Sequence, residues 1–330
     1  MRGGRLAHAS GLAGQSATLP GQAASLSKFI TACGIARLLA QNRLRLDTQL
    51  GQAMPAFFDR NNADRNGTVG QLTVAQLLTH RTGLPQLHGA AREYLPGLRA
   101  SLAGRHPRAV PMTALEGNLL QAEQQEPAGS AFRYANINFL LLGRLIAALD
   151  RRGYGGFISA EVLAPAGVVS AMPDPDLPFR DASGGWLISP VAYLAVLRSA
   201  WLGNAMLPAS LRAWAEDPAD KRVALGSNRH YALGLYFTRG TFGLTMHHDG
   251  ASRFRLATPA GLLVVSSGSD MSMDANGNGW CCMFAPIPGP EALADLRRSM
   301  MSTMRVPSGE SLDDLFPALL REAPRAATAR

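Results

Sequence analysis

From Phe29 to Ala40 the chain is apolar at nearly every position, with only Thr31 and Arg37 interrupting strongly. An apolar stripe on one face would mark a surface helix, whereas apolar positions on all sides predict a helix over residues 25 to 41 that is buried inside a domain. Asn42, a residue that tolerates the left-handed conformation, is its expected stop. A polar stretch from Asp59 to Gly67 follows, and then Leu72 to Leu78, where Thr73 is placed to cap a short helix. Further helices are expected near 112 to 124, 136 to 151, 189 to 202 and 208 to 216, punctuated by Pro and Gly. At Tyr231 the texture changes to β-type runs. Tyr231 to Phe237, Leu244 to His248, Phe254 to Ala257 and Leu262 to Ser267 read as consecutive antiparallel strands separated by glycine-bearing turns. An amphipathic helix from about Glu291 to Met304 closes the pattern, ahead of a Pro- and Ala-rich tail.

This order predicts a mixed α/β (α+β) class, an antiparallel sheet flanked by helices with a mostly helical subdomain inserted in the middle. The expected organisation is one domain over residues 1 to 308. Its helical subdomain covers about 60 to 180, its sheet lies mainly in 231 to 304 with the N-terminal segment added, and 309 to 330 form a tail.

Composition narrows the function classes. With 47% hydrophobic and 17% charged residues, 34 Gly and 21 Pro among 330, disorder, coiled coil and collagen are excluded. Three cysteines, Cys33, Cys281 and Cys282, are too few for a disulfide scaffold and form no CxxC zinc spacing. The formal charge of +8 invites a nucleic-acid reading, but the arginines are scattered rather than gathered into a stripe, so no nucleic-acid partner is expected. No run reaches the ~18 apolar residues of a membrane span, and the first 24 residues hold no apolar core of a secretory signal. Only Lys28 and Lys221 are lysines.

That scarcity bears on chemistry. Ser25-Leu26-Ser27-Lys28 puts Ser25 and Lys28 at i and i+3 near a helix start, on one face and within reach of each other. A lysine amine with a depressed pKa can take the serine proton, and the helix N-terminus favours the developing negative charge. Arginine does not lose its proton in a protein, so this is the kind of site where a lysine is needed. By itself the pair also fits a capping serine beside a solvated lysine, and chance yields Ser-x-x-Lys in about one such chain in eight. Tyr134-Ala135-Asn136 sits in a loop leading into the apolar Phe139 to Leu142, where a tyrosine can relay protons and an amide can hold a carbonyl; packing, with Asn136 as N-cap, is the alternative. His248-Asp249-Gly250 ends a predicted strand, with Ala251 after it. His247 is read as a strand residue facing away from His248. No Gly-x-Ser-x-Gly elbow occurs, which argues against an ordinary Ser-His-Asp α/β-hydrolase.

Taken in order, Ser-x-x-Lys, Tyr-x-Asn and His-x-Gly on a late strand resemble the serine β-lactamase and penicillin-binding protein superfamily. The resemblance is specifically to its class C β-lactamase-related branch, with its D-aminopeptidases, D-alanyl-D-alanine carboxypeptidases and esterases. Leu77 to Pro85 is similar to that branch's leucine-leucine-threonine-histidine-threonine-serine-glycine-leucine-proline segment, and Pro127 to Asn136 to its stretch leading into tyrosine-x-asparagine. Similarity extends through Gly184-Gly185-Trp186 and Tyr231 to Leu235, covering roughly residues 20 to 270.

The resemblance implies a β-lactamase/transpeptidase-like fold and a serine hydrolase that forms an acyl-enzyme with an amide, ester or β-lactam carbonyl. Ser25 would be the nucleophile, Lys28 its proton acceptor and Tyr134 the general base for the attacking group. Asn136 would anchor a substrate amide, and His248 stands where relatives carry Lys or His, followed by Gly250. The backbone N–H groups of Ser25 and Ala251 would form the oxyanion hole. No metal or organic cofactor is implied, the substrate is a small molecule or short peptide, and relatives usually act outside the cytoplasm. The rival expectation is a non-catalytic peptide- or peptidoglycan-binding member, or a truncated inactive one. Relatives place two strands before the nucleophile helix, and 24 residues precede Ser25. Ala251 to Arg255 lack a glycine-rich turn, Arg81 and Thr82 replace a small polar pair, and His80 is read as a loop residue hydrogen-bonded to backbone.

Overall fold

A computed structural model describes residues 1–11, 16–85, 112–175, 177, 180–203, 206–219, 228–240, 243–258 and 261–305. Lys221 and the tail from 309 to 330 lie outside the described residues. The helices are α1 (Ser27–Ala40), α2 (Leu50–Ala53), α3 (Pro55–Arg60), α4 (Val74–Leu78), α5 (Met112–Leu120), α6 (Asn136–Leu149), α7 (Gly153–Ile158), α8 (Asp181–Gly184), α9 (Pro190–Trp201), α10 (Ala209–Glu216) and α11 (Pro290–Arg305). The strands are β1 (Gly21–Gln22), β2 (Met172–Pro173), β3 (Trp186–Ile188), β4 (Arg229–Ala232), β5 (Leu235–Gly240), β6 (Gly243–Thr258), β7 (Gly261–Asp274) and β8 (Gly279–Phe284). The last five form an antiparallel sheet in sequential order, and β1, β3 and β2 a small separate one.

Helix α1 is buried on all sides, as its pattern requires: Phe29, Ile30, Cys33, Ile35 and Leu38 are all fully covered. Each large apolar side chain so covered contributes about 1.5–3 kcal/mol. Its polar residues are satisfied inside the core. Thr31 donates to the Ala182 carbonyl at 2.7 Å and meets the Tyr154 hydroxyl at 2.6 Å, which in turn accepts Trp186 Nε1–H at 2.8 Å. Asn42 follows the helix at φ +55, the left-handed stop expected there. Thr73 caps α4 in a reciprocal capping box with Gln76.

The structure corrects several expected boundaries. The helix expected over 112 to 124 ends at Leu120, because Gln124 and Gln125 turn away to hydrogen-bond the Thr82 and Gly83 carbonyls. Tyr231 to Phe237 is not one strand but the two arms of a hairpin, β4 and β5, closed by Leu233 and Gly234 at φ +51 and +77. The hairpin tip lies on α1. A Cβ at Gly234 would stand 2.6 Å from the Lys28 carbonyl carbon and the Phe29 nitrogen, so only glycine fits. Leu244 to His248 and Phe254 to Ala257 belong to one 16-residue strand, β6, with Gly250 inside it rather than at a turn. Strand β8, which carries Cys281 and Cys282, pairs with β7 and was not among the expected strands. Met1 to Gly4 bond to residues 277 to 279 at the β7–β8 turn.

Candidate active site

The chain enters the site from β1. Ala23 donates its N–H to the Trp186 carbonyl at 2.8 Å, Ala24 adopts φ +46, and a 3₁₀ turn over Ala24–Leu26 feeds α1. A non-glycine residue in that region costs about 1–3 kcal/mol and is held by its surroundings. Here it delivers Ser25 to the helix start, with 7% of its surface exposed.

Lys28, one turn on, is fully buried. Its Nζ lies 3.2 Å from Ser25 Oγ and 2.6 Å from the carbonyl oxygen of Ser183 in α8, and stands 4.9 Å from the Tyr134 ring centroid. Burial, aided by the Arg180 guanidinium, pushes the Lys28 pKa well below that of a free lysine. The Tyr134 hydroxyl donates to Ser25 Oγ at 2.9 Å. Burial raises the Tyr134 pKa, more than the hydrogen bond to Ser25 lowers it, so the resting phenol keeps its proton. A buried amine with a lowered pKa and a phenol that keeps its proton thus converge on one hydroxyl, a pairing that can pass protons in opposite directions.

On β6 the residues alternate inward and outward, with His248 and Gly250 buried and Asp249 exposed. Gly250 runs against the backbone of Ser25 itself. A Cβ there would fall 2.8 Å from the Ser25 nitrogen and 2.9 Å from the Ala23 oxygen, and against Ser269 Oγ. His248 donates Nδ1–H to the Asp249 carbonyl at 2.5 Å, which leaves Nε2 to face the Tyr231 hydroxyl at 3.4 Å. Burial pushes its pKa down to about 3, so its ring is neutral. Its ring centroid is 6.0 Å from that of Tyr134. His247 instead bonds Thr238 Oγ1 at 3.1 Å and stacks on Tyr236. Asn136 is the buried first residue of α6, two positions past Tyr134, and Ala135 occupies the cap position in its place. Ala251 directly follows Gly250 on β6 and pairs with Gly268.

The Beta-lactamase family profile matches residues 18–279, which contain every one of these side chains. The chain belongs to the Beta-lactamase family. It is 27% identical over 143 residues to "Protein flp" of Staphylococcus aureus (strain MRSA252), a match covering 43% of this chain and 26% of that protein's length. Its fold is similar to that of the octameric penicillin-binding protein homologue from Pyrococcus abyssi, with a TM-score of 0.66 and 17% identity over 88% of this chain and 67% of the other. It is also similar to the D-amino acid amidase from Ochrobactrum anthropi SV3 complexed with L-phenylalanine amide, with a TM-score of 0.61 and 16% identity over 88% and 86% of the two chains.

Two features of this Beta-lactamase family chain escaped the sequence reading. Arg180 donates to Ser252 Oγ on β6 at 3.1 Å, and its Nη2 would lie 3.0 Å from a Cβ on Gly184, so a second cation borders the site next to the Lys28 acceptor Ser183. Nothing local marks it, since Ser252 is 72 positions away. His80, expected to be a backbone-bonded loop residue, accepts the Ala135 N–H on its Nδ1 at 3.3 Å. Its ring also packs 4.4 Å from that of Tyr134. Among the described residues no group of three or more His, Cys, Asp or Glu is placed to hold a metal ion. Nor is any helix among them long and apolar enough to cross a membrane.

Proposed function

We propose that this chain is a serine hydrolase that forms an acyl-enzyme on Ser25 with an amide, ester or β-lactam carbonyl of a small-molecule or short-peptide substrate. The observation that carries the reading is the convergence of Lys28 Nζ and the Tyr134 hydroxyl on Ser25 Oγ. In acylation the Ser25 proton passes to neutral Lys28 as Oγ attacks the carbonyl carbon, and Tyr134 gives its phenol proton to the leaving amine or alkoxide. The site then holds an ammonium beside a phenolate. In deacylation the phenolate takes a proton from the attacking water, and the Lys28 ammonium returns its proton to Ser25 Oγ as the acid departs. Every proton is restored. Tyr134 is thus the base for the attacking group. The N–H groups of Ser25 and Ala251 supply the oxyanion hole, each such donor being worth about 3 kcal/mol in the transition state. Asn136 and His248 hold the substrate, His248 as a neutral hydrogen-bonding group rather than a cation. The likeness to penicillin-binding protein homologues and a D-amino acid amidase agrees with amide-type carbonyls.

The test is intact-protein mass after treatment with a fluorophosphonate and, separately, with a panel of β-lactams, comparing wild type with Ser25→Ala. One adduct, present only in wild type, is expected. A folded wild-type protein that gives no adduct would turn the reading to a ligand-binding, non-catalytic member.

A further inference from the structure

We propose that His80 is the positioning residue for Tyr134: it ties the main chain on both sides of the tyrosine and backs its ring, so that the phenol hydroxyl meets Ser25. This rests on the reading of Ser25 as nucleophile. His80 is fully buried just beyond α4 and adopts φ +54, a conformation that few non-glycine residues take. Its carbonyl accepts the Arg133 N–H at 2.8 Å and its Nδ1 accepts the Ala135 N–H at 3.3 Å, so the residues before and after Tyr134 are both held by one side chain and its backbone. The ring centroids of His80 and Tyr134 are 4.4 Å apart, and Tyr231, which faces His248, lies at 4.7 Å from the same imidazole.

The ring's tautomer follows from its neighbours. The Thr82 hydroxyl donates to Asn138 Oδ1 at 2.7 Å, which turns the Asn138 amide N–H group toward His80 Nδ1 at 2.8 Å. Two donors meet at Nδ1, so Nδ1 carries the lone pair and the proton sits on Nε2. Protonating Nδ1 would set three N–H groups against one another, and burial opposes a positive ring as well. The Nε2 atom is buried with no hydrogen-bond partner among the described residues. A buried donor left unmet is a cost that packing alone does not explain, because a phenylalanine would fill the ring's place without it. What an imidazole adds over a phenylalanine is the Nδ1 acceptor, and that acceptor is shared between Asn138 and the chain next to Tyr134.

Two variants separate ring from acceptor. His80→Asn keeps an acceptor near Nδ1 and tolerates positive φ but removes the ring; His80→Phe keeps the ring and removes the acceptor. We expect each to slow fluorophosphonate labelling of Ser25 at least tenfold while the protein stays folded by circular dichroism. In a Tyr134→Phe background the same His80 substitution should cost less than twofold, because its effect runs through the hydroxyl already removed. Equal losses in the two backgrounds, or unchanged labelling in either folded variant, would overturn the proposal, and a folding failure of one variant leaves the other to decide it. If wild type itself is not labelled, the nucleophile reading fails and the clamp is read from the ring-proton NMR signals of Tyr134. These are assigned among six tyrosines by their loss in Tyr134→Phe, and if His80→Asn leaves them unmoved, the clamp is refuted.

Discussion

The side-chain nitrogen of Lys28 lies closer to the Ser183 carbonyl oxygen, at 2.6 Å, than to Ser25 Oγ, at 3.2 Å. An N–H of the amine meets the Ser183 carbonyl, and once the amine is neutral its one lone pair can turn to Ser25. Lys28→Arg places a permanent cation there and offers no lone pair. It should lower Ser25 labelling by about 10²- to 10⁴-fold, the usual range for a lost proton acceptor. Labelling kept within threefold of wild type would take Lys28 out of the mechanism.

Arg180 adds to the effect of burial on Lys28. Its charge helps hold the Lys28 pKa down, so removing it raises that pKa and a higher pH is needed to free the lone pair. Arg180→Met should therefore move the acidic limb of the pH–labelling profile toward alkaline pH. The measurement is the labelling rate from pH 5 to 10, and a limb that stays in place or moves toward acid would show that Arg180 does not tune the lysine.

Gly250 is where β6 and Ser25 touch. The neighbours of an added Cβ include the Ser25 nitrogen at 2.8 Å and the Ala23 oxygen at 2.9 Å, main-chain atoms that cannot rotate away. Gly250→Ala should separate β6 from the 3₁₀ turn and, by disturbing one side of the proposed oxyanion hole, slow acylation about a hundredfold. Gly240→Ala on the same sheet, where a Cβ meets nothing within 4 Å, is the control. Equal rates for the two variants would mean that the close approach is not needed for reaction.

The parts of this molecule that were legible in sequence are those governed by near neighbours. The all-round apolar run of α1, its stop at Asn42, the Thr73 cap and the i, i+3 spacing of Ser25 and Lys28 all depend on residues within a few positions of one another. What was misread depends on partners far along the chain. Gly250 resembles a turn residue but is a strand residue that must pass Ser25, and the β4–β5 turn uses apolar Leu233 where polar turn formers are usual. Arg180 is placed by residues brought up from β6, and the role of His80 emerges only when residues 133 to 138 fold back over it.

Asp249, which lies between two proposed site residues, is paired directly with Asp270 across β6 and β7, and Arg297 of α11 reaches both. Burial outweighs Arg297 at Asp270 and raises its pKa from 3.8 to about 6. The native carboxyl thus holds its proton more tightly than the unfolded one. Its contribution to stability is full below about pH 4 and is lost as pH rises through 6, a loss of the order of 1–3 kcal/mol. His248 works with the opposite sign: with its pKa lowered from 6.5 to about 3, its contribution is present above pH 6.5 and is lost as pH falls toward 3. The two trends overlap between pH 4 and 6, so the wild-type curve alone does not separate them. Subtracting the curve of Asp270→Asn does. The stability of wild type relative to Asp270→Asn should fall between pH 4 and 7, as read by urea unfolding at each pH. A difference that is flat, or that rises with pH, would mean that Arg297 keeps Asp270 ionised throughout, and that the ion pair rather than a protonated carboxyl ties α11 to this part of the sheet.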